Sequence, residues 1–420
     1  MKILHTADLH FNNKPKVLND IIKCSDFLLQ RAEQEQPDLA VLAGDLFDEG
    51  MQLGTPGTLA AIDFVHRLAN IAPVIIIRGT STHDAEGAVA PLDKLKAAYP
   101  IYVTDRLEQV CYCPDDGFVG IGSSYGLCCE KAQVLISCLP SITKAGLIAS
   151  IAGTVDDTNR ETAQLMRNVL QAWGVINEQA WDNDVIPIIV GHCTITGSQF
   201  SSGQTATGKD LEYSVSDIQL ARAALTCLGH IHKPQVFAEN IFYSGSITRL
   251  NFGEPEEKGF YIHKSDVPEY GWVHTFINTP AREMVTKKTE GLPTVEAAMD
   301  VQQGDFFRLV YEVAEEDVGK VDEAAIEAEA FARGASEVKI EKRIIPKVRV
   351  RAEGISQESS LAGKLTRWGE TVETKVDHLF DKLAMLETME VDDIIYNLYS
   401  DPHPLLKELA EHPEEWREAV

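Results

Sequence analysis

Five clusters of imidazole and carboxylate punctuate the chain, and each follows an apolar run. Asp8-Leu9-His10 comes after Lys2–Thr6, Gly44-Asp45-Leu46-Phe47-Asp48 after Leu39–Ala43, and His83-Asp84 after Val74–Ile77. Gly191-His192 ends Val185–Val190, and Gly229-His230-Ile231-His232 ends Leu225–Leu228. One histidine at a strand end is ordinarily hydrated or hydrogen-bonded. The same residue types at the ends of several strands describe one edge of a sheet instead. Two divalent cations about 3.5–4 Å apart need a shared anionic ligand and terminal ligands on either side. A mixture of histidine and aspartate suits manganese, iron or zinc better than the all-oxygen shells of magnesium or calcium. The spacing of two in Asp8/His10 and in His230/His232 turns both side chains of an extended segment to the same side. Glycine ahead of Asp45, His192 and His230 allows a sharp turn.

Such clusters need a sheet to carry them. Lys2–Thr6, Leu39–Ala43 and Val74–Ile77 read as buried strands separated by helical patterns over Val17–Ala32 and Leu59–Leu68. This alternation predicts an α/β architecture with helices covering a sheet. Strands are also expected at Val110–Tyr112, Phe118–Ile121, Val185–Val190, Leu225–Leu228, Ile241–Tyr243 and Gly259–His263, with a helix over Arg160–Trp173. Ligands bind at the carboxyl edge of open α/β sheets, where every cluster falls.

After about residue 280 the pattern changes to strand, helix, strand over Phe306–Val313, Val318–Phe331 and Glu337–Ile345. Three regions are expected: 1–280, a small α+β unit over 281–351, and a linker with C-terminal helices over 352–420. The small unit ends in a basic strip of Lys339, Lys342, Arg343, Lys347, Arg349 and Arg351, which reads equally as a phosphate-contacting strip or as a solvated strand face. Leu361, Leu365, Trp368, Val372, Val376, Leu379, Leu383 and Leu386 form the apolar stripe of one long amphipathic helix.

Composition narrows the partners. With 38 Lys+Arg against 64 Asp+Glu in 420 residues, the formal charge is −26, which argues against a histone-like binder of polyanions. A polyanionic substrate then needs local basic patches or bound cations. Eight cysteines lack the paired spacing of a zinc module and are expected to be free thiols in a reducing compartment. No apolar run approaches the ~18 residues of a membrane span, and the start of the chain does not read as a signal peptide. A soluble, cytoplasmic protein that does not engage a membrane is expected.

The five clusters resemble the signature of the calcineurin-type metallophosphoesterases: D-x-H, G-D, G-N-H-D, G-H and G-H-x-H. Four of the five stand unaltered. The resemblance implies a metallophosphoesterase β-sandwich flanked by helices, with Asp8, His10 and His232 on one metal, His192 and His230 on the other, and Asp45 bridging. It places His83 near the leaving group, with Asp84 orienting that imidazole. One block departs: Gly79-Thr80-Ser81-Thr82-His83-Asp84 has no asparagine, whose amide oxygen serves the second metal in the family. Thr80, Ser81, Thr82 or water is left to supply that oxygen.

Tyr243–Glu254, with Lys258-Gly259 after it, is similar to the SbcD nucleases, the branch that works with an SMC-type ATPase in DNA break repair. That resemblance covers residues 1–265 well. It implies a manganese-dependent DNA exonuclease and endonuclease with two divalent ions, a cap domain at 281–351 that contacts DNA, C-terminal helices that dock on an SbcC-like ATPase, and a homodimer. The competing readings are a small-molecule phosphomonoesterase or cyclic phosphodiesterase, and a scaffold with a weakened metal site.

Overall fold

A computed structural model of the chain describes residues 1–50, 52–121, 131–142, 158–201, 211–265, 271–346, 354–373 and 375–388. Strands β1 (Lys2–Thr6), β2 (Leu39–Leu42), β3 (Val74–Ile77) and β4 (Ile101–Thr104) lie parallel in the first sheet. Beyond β1, β14 (Gly259–Lys264) and β15 (Val273–Asn278) complete it antiparallel, in the order β15-β14-β1-β2-β3-β4. The second sheet contains β5 (Glu108–Cys113), β6 (Gly117–Gly120), β7 (Val134–Leu139) and β8 (Ile186–His192). It continues with β11 (Leu225–Gly229), β12 (Gln235–Ala238) and β13 (Ile241–Tyr243), in the order β12-β13-β11-β8-β7-β5-β6. Strands β9 (Thr194–Ile195) and β10 (Glu212–Tyr213) form a short parallel ladder.

Successive side chains of a strand point to opposite faces, and here both faces are covered. Ile3, Val41 and Ile75 of the first sheet pack against Ile136, Ile188 and Val190 of the second. Their neighbours Leu4, Leu42 and Ile76 face helices α1 (Pro15–Glu35) and α2 (Pro56–Ala69), meeting Leu28 and Phe64. On the outer face of the second sheet, Ile189 and Leu228 meet Met166 and Leu170 of α3 (Thr158–Trp181) and Ile218 of α4 (Val215–Gln219). The result is a two-sheet sandwich flanked by helices. Both α1 and α2 start on a proline, which presets the first helical φ where no amide partner is needed.

Strands β16 (Met284–Glu290), β17 (Phe306–Ala314) and β18 (Glu337–Ile345) form a three-stranded sheet with β17 at its centre. Leu309 and Tyr311 pack there on Ile326 and Ala330 of α5 (Glu323–Ala332). The helix expected from residue 318 starts later because Glu315–Asp317 forms its own 3-10 turn and the Asp322 carboxylate caps the amide of Ala325. This small sheet is fastened to the sandwich. The Arg282 guanidinium binds Asp20 at 2.7 Å and lies 3.9 Å over the Phe306 ring, while buried Arg249 binds the Arg282 carbonyl and Glu283.

The chain divides into two compact units, Met1–Val313 with Asp317–Arg343, and Ala314–Glu316 with Ile344–Val420. In the second unit the single helix expected over 361–386 is two helices, α6 (Leu361–Thr371) and α7 (Asp377–Thr388). The helix stops because Val372 leaves helical geometry and Glu373 takes a left-handed φ of 53°. Leu361, Trp368 and Val372 remain exposed. Among the described residues no helix is long and apolar enough to cross a membrane. Cys24, Cys111, Cys138, Cys193 and Cys227 are free thiols, but Cys113 departs from that expectation and is disulfide-bonded.

Arg282→Ala removes the Asp20 ion pair and the ring contact together. Hydrogen exchange in β17 is expected to accelerate at least tenfold while β1–β3 stay protected; unchanged exchange in β17 would show that other contacts hold the small sheet.

Candidate metal centre

The loops after β1 and β2 are laced together before any side chain is considered. The Asp8 amide donates to the Gly44 carbonyl, that of His10 to Asp45 and that of Phe11 to Leu46, at 2.9–3.1 Å. Asp8 and His10 therefore lie beside Asp45. From the other sheet, the His230 amide donates to both Asp8 carboxylate oxygens at 2.9 and 3.1 Å, and His192 Nδ1 bonds the Ala43 carbonyl at 2.7 Å. Asp8, His10, Asp45 and His230 have φ of 52°, 51°, 49° and 94°. Non-glycine residues with left-handed backbone are uncommon, and such strain collects where the surroundings force a functional conformation.

The six residues expected as metal ligands converge. Asp8, His10 and His232 bring their donor atoms within 4.8 Å of one another, and so do Asp45, His192 and His230. Nε2 of His10 faces Nε2 of His232 at 3.1 Å, and Asp45 Oδ2 lies 3.3 Å from His192 Nε2 and 3.9 Å from His10 Nε2, between the two groups. His192 Nε2 is buried without a hydrogen-bond partner. Because its Nδ1 is held by a carbonyl, the free nitrogen is the one aimed inward, as in metal-ligating histidines. Burial would push the Asp45 carboxyl up, yet His192, with His10 and His83 behind it, holds it well below the carboxylate range. Burial would lower the His192 imidazole, but Asp45 and Asp8 raise it to about 9. Buried carboxylates and inward-facing imidazole nitrogens make a donor set that fits two divalent ions.

His83 stands at the rim, half-buried, its ring edge-on to His10 with centroids 4.6 Å apart. Its orientation corrects the expectation for Asp84. That carboxylate accepts from the amides of Gly79, Leu46 and Phe47 at 2.9–3.3 Å and so holds the two loops together. The His83 imidazole is held by Asp48 instead, through Nδ1 to its carbonyl at 2.8 Å, with the Asp48 carboxylate 3.8 Å away. Asp84 sits next to His83 in sequence, but consecutive residues point apart and its side chain turns into the core. Burial and the Asp45 charge push the Asp84 carboxyl up to about 6, against the amides of Gly79 and Phe47.

Of the three hydroxyls near the missing asparagine, Thr80 reaches the site. Its amide and Oγ1 donate to Asp45 Oδ1 at 2.6 and 3.0 Å, while Ser81 and Thr82 are exposed. Glu254 and Lys258 belong to the Tyr243–Gly259 stretch, to which the sequence assigns no role at the metal centre. The Glu254 carboxylate accepts from His232 Nδ1 at 3.1 Å and pairs at 2.8 Å with Lys258, and both are fully buried. Burial would raise the Glu254 carboxyl, but His232 and Lys258 bring it to about 2. In the small sheet, Lys339, Lys342 and Arg343 are exposed and each has a carboxylate within 4 Å, from Glu341, Glu323 and Glu312. Lys347, Arg349 and Arg351 lie outside the described residues.

The glycines act through space more than through turns. Only Gly44 of the three ahead of Asp45, His192 and His230 has positive φ, at +89°. A Cβ on Gly229 would meet the Ala43 carbonyl at 2.1 Å, and one on Gly79 would meet Asp45 Oδ1 at 2.0 Å. Gly79→Ala is therefore expected to displace Asp45 and weaken manganese binding at least tenfold by calorimetry. Gly120→Ala, with nothing within 4 Å, leaves binding unchanged. Equal affinities in the two variants would mean that the close approach does not set the carboxylate.

Residues 1–234 match the family model for calcineurin-like phosphoesterase. The chain is 29% identical over 278 residues to the SbcD component of the nuclease SbcCD from Staphylococcus epidermidis, covering 62% of this chain and 65% of the relative. It is 28% identical over 269 residues to the protein of the same name from Staphylococcus saprophyticus, with the same coverages. The match thus spans about two thirds of the length of these curated relatives, just under it at 65%. With its sandwich fold and a family match that takes in β1 to β11 and all five loops, the chain belongs to the calcineurin-like phosphoesterase family.

Proposed function

We propose that this protein is a metal-dependent DNA nuclease that hydrolyses phosphodiester bonds in DNA break repair, in partnership with an SMC-type ATPase. The carrying observation is the convergence of Asp8, His10, Asp45, His192, His230 and His232 on one edge of the sandwich. Asp8, His10 and His232 would hold one divalent ion and His192 and His230 the other, with Asp45 shared and Thr80 Oγ1 as the neutral oxygen near it. Manganese is among the ions this mixture of nitrogen and carboxylate donors suits, and it is the one the family resemblance implies. When bound, the ions supply Lewis acidity, lowering the pKa of water and neutralising charge on the phosphoryl group. The chain's own part is positional. Glu254 fixes the tautomer and aim of His232, the Ala43 carbonyl does the same for His192, and Thr80 bonds Asp45. His83, with Nδ1 committed to the Asp48 carbonyl, keeps its other nitrogen for the leaving oxygen, to which the imidazolium would donate a proton or hydrogen bond.

The relatives' name supports the nuclease reading over a small-molecule phosphoesterase, and so does the small sheet of β16, β17 and β18, which a hydrolase of small esters does not need. Lys339, Lys342 and Arg343, with Lys347, Arg349 and Arg351 beyond, would contact DNA phosphates. Exposed ion pairs contribute only about 0–1 kcal/mol, so a polyanion readily exchanges for their carboxylates. The exposed stripe of Leu361, Trp368 and Val372 would dock on the ATPase, and the working particle is a cytoplasmic homodimer. With manganese, linear duplex DNA is expected to be degraded and p-nitrophenyl phosphate left largely intact. Cleavage of the monoester alone overturns the nuclease reading, and cleavage of neither, with less than one ion bound per chain, favours the scaffold.

His83→Ala is expected to keep metal and lose at least 100-fold in cleavage, the scale of a general acid. Asp45→Ala should lose both. Equal metal loss, measured by calorimetry, would show His83 to be a ligand rather than a proton donor.

A further inference from the structure

A second group of metal-compatible side chains lies apart from the loop edge, in the dry interior between the sheets. His5 of β1, His263 of β14 and Cys227 of β11 are fully buried, and their donor atoms lie within 4.8 Å of one another. His5 and His263 share the inner face of the first sheet, and Cys227 comes from the second. Phe242 and Tyr261 surround them.

The rings form a chain of contacts. His5 Nε2 faces the Leu228 carbonyl at 3.1 Å and must donate to it, which leaves its Nδ1 an acceptor towards His263 Nε2 at 3.3 Å. His263 Nδ1 meets Nδ1 of His274, its cross-strand neighbour, at 2.8 Å. When His263 gives its one N–H to His274 at that shorter distance, the lone pairs of His5 Nδ1 and His263 Nε2 face each other. An extra proton is disfavoured there, since burial, reinforced by His5 and His274, drives the His263 imidazole well below its usual range.

We propose that His5 Nδ1, His263 Nε2 and the Cys227 thiolate bind one soft d10 cation, zinc or copper(I), that clips the two sheets together. Tetrahedral ligation with metal–nitrogen bonds of about 2.0–2.1 Å puts two nitrogens about 3.3–3.4 Å apart, the separation found here. Each imidazole has an acceptor in reach of its other nitrogen, Leu228 O for His5 and His274 Nδ1 for His263, as ligating histidines do. The mixed imidazole and thiolate donors select thiophilic ions over manganese or magnesium. Binding forms one metal–sulfur and two metal–nitrogen bonds and releases the thiol proton to solvent as the chain folds around the ion.

The test is elemental analysis with K-edge X-ray absorption on the full chain, expressed in zinc- or copper-supplemented medium and purified without chelators. About one zinc or copper per chain with one sulfur and two imidazole ligands is expected, and the edge energy identifies which. That ion should persist in Asp45→Ala and vanish in Cys227→Ala, with circular dichroism checking that the latter folds. A wild-type protein with no sulfur-ligated ion from either medium overturns the proposal, whatever Cys227→Ala does. So does sulfur ligation that survives in Cys227→Ala.

Discussion

Buried negative charge at the junction of the two sheets is the constraint around which this protein is arranged. Asp8, Asp45 and Asp84 have almost no contact with solvent, and each is held by backbone amides or imidazoles rather than by lysine or arginine. Isolated charges in such a place would cost many kcal/mol. The amides of His230, Thr80, Gly79, Leu46 and Phe47 lower that cost only because the loops after β1, β2, β3 and β11 all bend to the same point. The left-handed φ of four of the site residues, Asp8, His10, Asp45 and His230, is the local expense of that bending.

A second layer of polar contacts keeps the first in register. His192 is locked by Ala43, His232 by Glu254 and His83 by Asp48. Glu254 matters beyond its own bond. Its carbonyl accepts from Arg249, which also bonds the carbonyl of Arg282 where the chain enters the small sheet. The imidazole of His232 and the seat of the small sheet therefore share one continuous set of hydrogen bonds.

Much of this was legible before any coordinates. The clusters were readable because a histidine or aspartate after an apolar run has few other reasons to recur, and parallel strands bring their carboxyl ends to one edge. Adjacency in sequence does not show where Asp84 points: in the turn that carries His83 and Asp84 the two side chains diverge. Asp48 and Glu254 stand in stretches that the sequence marks, but their roles have no local signature, since a carboxylate that serves another residue's ring is defined by distance across the fold. Strand β7 carries Ser137 within Val134–Leu139 and is not among the strands expected from the sequence, although it lies beside β8 at the centre of the second sheet. The break between α6 and α7 escaped a periodicity argument because the apolar stripe runs straight through it.

The pairing of β1 with β14 has a consequence for how the protein is made. The first strand leaves the ribosome with one edge destined for Leu39–Leu42 and the other for Gly259–Lys264, more than two hundred residues later. Until that late partner arrives, one edge of β1 presents unpaired backbone N–H and C=O groups, a template for pairing with other chains. The first sheet closes on that side only when a strand translated late seals the first.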